Sequence, residues 1–266
     1  MEIKTVYELA WLTTQQIVVT EDKDGKKAIG FGSGFFLQYK DFLFFVTADH
    51  VYHAQDFDEG IRLGKDTFVW VFNNKNSRTE LATMLTPIVG LYSFDQYDIN
   101  DELSLTIPDM KDISFAIIQD HFKQPFLTHE LRDDNSNIIV PAGKEKVIIN
   151  SECATELKPK DYCLVEGCVL WDIRNGINLC RCNAIHQNLL FDKIDNEGYY
   201  ILKSSEPIEY NKWAGLSGSP VFTDQFRFIG MLIEVNENDD TVRVVPVKKI
   251  TSLMDQAIIY ENTIKM

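Results

Sequence analysis

Residues 210–222 read YNKWAGLSGSPVF. Gly215 and Gly218 flank Leu216 and Ser217, Ser219 follows, and Pro220 closes the group before a strand-like run. A buried strand would carry side chains here, and a plain surface turn would need only one glycine. Nucleophilic chemistry at a serine needs a base within hydrogen-bond reach and a buried acid to orient that base. It also needs backbone N–H groups aimed at the developing oxyanion. The chain offers five histidines: His50, His53, His121, His129 and His186. His50 ends FLFFVTADH, an apolar run entering a small-residue bend, where an imidazole is held rigidly. Asp112 opens the apolar run in DMKDISFAII. Burying that carboxylate is costly unless a partner compensates it, and an imidazolium is such a partner. Taken singly, each residue also has an ordinary reading, as a structural histidine, a strand-end carboxylate and a turn serine.

The elements around these residues read as mostly β. Residues 15–51 contain three strand-like runs broken by DKDG and YKD, both good turn sequences. ISFAII, EKVIIN, YCLVEGCVLW, INLCRCNAI, GYYILK, SPVF, FIGMLIEV and TVRVVPV have the same character, with RNG, DNEG and NENDD as turns between them. In VKKITSLMDQAII, Ile250, Leu253, Met254 and Ile258 recur at helical spacing, so a terminal helix is expected over about 247–260. VYELAWL reads as a short opening helix. DKDG at 22–25 is expected to be a hairpin turn rather than a calcium loop, because Ser33 stands where the twelfth-place acid would be.

Composition limits what such a scaffold could bind. The 266 residues include 45% hydrophobic and 25% charged residues, a globular balance. The formal net charge is −14, from 40 acidic and 26 basic residues. Neither nucleic acid nor an anionic membrane suits that charge, since both call for a basic patch. Protein or peptide partners are expected instead. No apolar run approaches membrane-span length, and the opening residues show no secretory pattern. Cys153, Cys163, Cys168, Cys180 and Cys182 are an odd number clustered in the second half, which fits reduced thiols in the cytoplasm better than a disulfide framework.

Three segments together resemble the trypsin-like serine peptidases of the chymotrypsin fold. TADHV is similar to that family's histidine block, DISFAII to its aspartate-led strand, and GLSGSPVF to its G-x-S-G-[GS]-P block. The last resembles the bacterial glutamyl-endopeptidase-type members. GSGFFLQ, residues 32–38, resembles the strand preceding the histidine strand. His50, Asp112 and Ser217 stand in the family's chain order, 62 and 105 residues apart. The resemblance implies two packed six-stranded antiparallel β-barrels and a C-terminal α-helix. The first barrel would take 1–130, with a long 54–105 insertion, and the second 131–266, joined through the polar region near 121–145. It further implies a serine endopeptidase without a cofactor or metal. Ser217 would be the nucleophile, His50 the general base and acid, and Asp112 the residue that fixes the histidine tautomer. Gly215 and Ser217 would supply the oxyanion-hole N–H groups.

The primary pocket implied by the resemblance lies near Asn211 and Lys212 and along Ile233, Glu234 and Val235. Asn211 is not the aspartate that a strict Arg/Lys preference needs, and no histidine follows His186 to support an acidic one. Leu216 stands where many secreted members carry the aspartate that pairs with a new α-amine, so maturation by N-terminal cleavage is not expected. The cysteine spacings match no familiar zinc ribbon. A catalytically inactive, protease-like binding module is the alternative. An α/β-hydrolase triad would need a histidine after the serine, and all five precede Ser217. A dedicated protein substrate or activator would fit the 54–105 region.

Overall fold

Runs of bulky apolar residues in the first half form strands whose middles are buried in unbroken stretches. The computed structural model describes residues 3–72, 85–97, 109–118, 130–132, 135–174 and 178–264. After helix α1 (Val6–Thr13) come β1 (Thr14–Thr20), β2 (Ala28–Tyr39) and β3 (Phe42–Thr47). Two short helices, α2 (Asp49–Tyr52) and α3 (Ala54–Glu59), precede β4 (Phe68–Phe72), β5 (Leu85–Ile88), β6 (Leu91–Gln96) and β7 (Asp109–Ile118). The sheet order is β5-β4-β1-β2-β3-β7-β6. Its two edge strands, β5 and β6, are consecutive in the chain and separated only by Val89 and Gly90. One segment thus borders β4 with its first half and β7 with its second. The described pairings leave this first sheet open as a half-barrel, where a closed six-stranded barrel was expected.

The expected 54–105 insertion is corrected in part. Phe68–Phe72, Leu85–Ile88 and Leu91–Gln96 are strands of the sheet, because FVWVF and its neighbours alternate as a half-buried surface requires. The rest of that region, 73–84 and 98–105, lies outside the described residues, as do His121 and His129. In the expected junction, β8 (Leu131–Arg132) and β9 (Ile138–Val140) form a two-stranded sheet. The β1–β2 turn is a hairpin closed on Asp22, whose carboxylate accepts the N–H groups of Asp24, Lys26 and Lys27.

The chain rejoins the first sheet at β10 (Ile149–Asn150), which pairs with β2 in parallel. It then builds a closed six-stranded barrel. The barrel strands are β11 (Tyr162–Arg174), β12 (Asn178–Ile194), β13 (Tyr200–Lys203), β14 (Pro220–Thr223), β15 (Phe228–Asn236) and β16 (Thr241–Pro246). Helix α4 (Val247–Ile264) follows directly. It buries Ile250, Met254 and Ala257 in the same core as Phe35, Phe44 and Phe115 of the first sheet. Tyr39 Oη donates to Asp255 at 3.0 Å on the same helix.

Aromatic packing ties the halves together. Phe44 meets Phe115 edge-on at 5.4 Å inside the first sheet, and Phe35 of β2 meets Phe228 of β15 at 5.3 Å across the seam. Each fully buried phenylalanine contributes about 1.5–3 kcal/mol, and each well-oriented ring pair about 0.5–1.5 kcal/mol more. Among the described residues, no helix is long and apolar enough to cross a membrane.

Candidate active site

Strand register brings the first two functional side chains together. Thr47 of β3 pairs with Ser114 of β7. Continuing that antiparallel register by two residues brings Asp112 level with position 49, at the start of α2. Gly32 of β2 lets this short helix approach the sheet, since a side chain there would collide with Val51 at 2.4 Å. His50 Nδ1–H donates to Asp112 Oδ2 at 2.8 Å, and the His50 backbone N–H donates to Oδ1 at 2.9 Å. Both carboxylate oxygens are therefore engaged by one residue. A carboxylate only accepts, so the proton belongs on Nδ1 and the lone pair on Nε2. The two side chains are 30% and 17% exposed, largely screened from water. Burial works against the charged imidazole, but Asp112 outweighs it, aided by Asp49 and Glu234. The result is a His50 pKa above its ordinary 6.5.

The serine loop is placed mainly by the backbone. Tyr210–Lys212 form a 3-10 turn, and Leu216 N–H then donates to Trp213 O at 3.0 Å. Gly218 N–H donates to Leu232 O at 2.8 Å, and Leu232 N–H returns to Ser219 O at 3.0 Å, so the loop runs straight into the β14–β15 ladder. Against β2, Ser33 N–H donates to Ser217 O at 3.0 Å and Ser33 Oγ to Gly215 O at 2.8 Å. Thr47 Oγ1, three residues before His50, donates to Ser33 O at 2.8 Å. The serine loop is thereby docked onto the strand pair that leads to His50.

Gly218 has φ +91, and a Cβ there would stand 2.0 Å from Ser33 O, so only glycine fits. Gly215 also has positive φ, +108. Among the described residues, the N–H groups of Gly215 and Ser217 donate to nothing within the chain. Ser217 Oγ likewise makes no hydrogen bond, to His50 or elsewhere, among the described residues.

No protein-family model matches this chain, and no curated protein matches it. Solved structures do. The MamO protease domain from Magnetospirillum magneticum (apo form) aligns over 92% of this chain and 97% of its own, at 12% identity and a TM-score of 0.44. The serine endoprotease from Yersinia pestis aligns over 96% and 67%, at 13% identity and a TM-score of 0.46.

The expected pocket residues lie on the 3-10 turn and on β15. Asn211 and Lys212 lie exposed in the 3-10 turn, with Lys212 Nζ donating to Glu209 at 2.6 Å. Ile233 is buried, Glu234 exposed and Val235 half-buried on β15, and Glu234 lies 3.6 Å from Arg243. Two neighbours carried no signal in the sequence reading. His186 stacks flat on Trp213 at 3.7 Å and 12°, and its Nε2–H donates to Lys212 O at 2.9 Å, bracing the segment before Gly215. Asp49 is fully buried beside His50. Its position next to the histidine was the only clue available.

Cys163 and Cys168 are buried, the latter donating to Asn183 Oδ1 at 3.2 Å, while Cys153 and Cys182 are exposed. Burial pushes the Cys163 thiol far above its ordinary pKa, leaving it protonated and inert. The described residues contain no group of three or more metal-ligating side chains.

Proposed function

We propose that this chain is a serine endopeptidase that hydrolyses peptide bonds through an acyl-enzyme intermediate. The observation that carries the proposal is the doubly bonded His50–Asp112 pair, with Nδ1 to Oδ2 at 2.8 Å and the backbone N–H to Oδ1 at 2.9 Å. That arrangement gives a base of fixed tautomer whose Nε2 is available to a hydroxyl. Ser217 is the nucleophile: Nε2 takes its proton as Oγ attacks the carbonyl, then passes that proton to the leaving amine. Water repeats the cycle in reverse roles to release the acid.

The unused N–H groups of Gly215 and Ser217 are the donors for the oxyanion. The substrate backbone adds to β15. Beyond Leu232, whose backbone still bonds Gly218 and Ser219, that strand pairs only with β16 among the described residues, which leaves Ile233–Asn236 for an incoming strand. Glu234 and Val235 border the bound chain, with Asn211 and Lys212 at the pocket mouth. The kinship to glutamyl-endopeptidase-type members rests on Gly215, Ser217, Gly218, Ser219 and Pro220. We place the enzyme in a reducing compartment, the cytoplasm, on the odd number and clustering of its cysteines. A specific protein is the substrate.

A fluorophosphonate probe tests the assignment. The wild type should be labelled and Ser217→Ala should not, with peptide hydrolysis falling by about 10⁶ in the variant. An unlabelled, folded wild type would overturn the proposal. The second reading, an inactive protease-like binding protein, draws on the missing Ser217–His50 hydrogen bond and predicts that outcome. Such bonds are often long before substrate arrives, so the missing contact alone does not favour the second reading over the first.

A further inference from the structure

Asp49 is fully buried and directly precedes His50. A carboxylate so far from water is costly unless fully paired. Its Oδ1 accepts from Ser93 Oγ at 2.7 Å, from Ser114 Oγ and from His53 Nδ1–H at 3.1 Å, while Oδ2 accepts from Arg62. Arg62 continues outward, donating through Nε to Asp95 at 3.0 Å and lying 3.6 Å from the Asp56 carboxylate. The cluster therefore joins α2, α3, β6 and β7. Burial opposes the charge on Asp49, but the bonds from His53, Ser114 and Ser93 hold its carboxyl below the ordinary carboxylate range. It is ionised at neutral pH.

The connection to the histidine is geometric. Ser114 lies two residues from Asp112 on the same strand, and His50 and Asp49 bond these two side chains in turn. Asp49 grips that strand through Ser114 while its own backbone leads directly into His50. An apolar residue at this place could fill the space, but only directional bonds fix the helix in rotation against the strand.

We propose that Asp49 is a positioning residue, whose anchored carboxylate locks α2 onto β6 and β7 so that the His50 ring meets Asp112. Its catalytic consequence rests on the peptidase reading above; the geometric claim does not. The charges facing the imidazole are Asp49 from α2, Asp112 from β7 and Glu234 from β15. Arg62 and His53 partly balance Asp49, and Asp56 and Asp95 lie behind them.

Histidine-labelled full-length protein followed by NMR over pH tests the idea. Asp49→Asn keeps the shape but removes the charge and turns one acceptor into a donor facing donors. The His50 titration midpoint should fall by about 0.5–1 pH unit. The low-field Nδ1 proton shared with Asp112 should broaden. kcat should fall roughly tenfold at unchanged KM, its acid limb moving to lower pH. A folded variant with an unmoved midpoint and a sharp low-field proton overturns the proposal. Should Asp49→Asn fail to fold, Ser114→Ala keeps the charge and removes one anchor. Broadening of the same proton supports the role, and an unchanged signal refutes it. A wild type that shows the shared proton yet resists the phosphonate sinks the peptidase reading alone.

Discussion

The two sides of the candidate site are held by different physics. Around His50 the chain uses buried charge: Asp49, Asp56, Arg62 and Asp112 each engage specific donors or acceptors between α2, α3 and the sheet. Around Ser217 it uses apolar packing and backbone bonds. Leu216 is fully buried with Trp213, Val165 and Leu189, and the loop is stitched to β2 and β15 through main-chain groups. In the proposed mechanism the imidazole rotates little and changes charge, and the groups around it respond to charge. The hydroxyl of that mechanism is presented without bulk, with its support behind it. The charge-held side should therefore be sensitive to pH and isosteric substitution, and the packed side to volume.

The sharpest break is Asp112→Asn. Steady-state kinetics should show kcat reduced by about 10⁴ with the fold intact by circular dichroism, since the amide stabilises the wrong tautomer. In the wild type, kcat/KM should rise with pH along a limb centred above 6.5, because the raised His50 pKa means that the neutral base appears only there. The same shift sets the sign for folding: what the His50–Asp112 pair contributes to stability is present below pH 6.5 and is lost as pH rises through the folded-state pKa. A limb centred below 6.5 would show that Asp112 does not outweigh burial.

On the packed side, Gly218→Ala forces a methyl group against Ser33 O, so the loop must shift. Turnover should drop by about 10²–10³, as when oxyanion donors are misaligned. Leu216→Ala should lower stability by about 2–5 kcal/mol in urea unfolding, from lost burial and the cavity left behind. Its pH profile should keep the wild-type limb, which Asp49→Asn would move. The smallest effect belongs to Lys212→Ala. Its pair with Glu209 leaves both side chains 62% exposed, so stability should change by under about 0.5 kcal/mol.

Much of this was legible in the residues themselves. FLFFVT, FAII and FIGMLI announced β3, β7 and β15 because long apolar runs between turns have few alternatives. LMDQAII announced α4, which extends to Ile264. FVWVF sits inside a polar stretch and alternates over only five residues, so β4 stays hidden within the expected insertion. The proximity of His50 and Asp112 follows from two apolar runs, one that His50 ends and one that Asp112 opens, since register does the rest. The Asp49–Arg62 cluster was not legible, because its donors are scattered over β6, β7 and the turns flanking α3, and no local pattern links Ser93 or Ser114 to position 49. The His186–Trp213 stack was hidden for the same reason.

Helix α4 leaves the closed barrel at Pro246 and lays Ile250, Met254 and Ala257 into the core of the opposite sheet. It works as a hasp, since prising the two sheets apart means peeling it off first. The packing between the two sheets is thereby tied to residues of this helix. Trimming that tail should loosen both rims together, and amide exchange should report them as one opening unit.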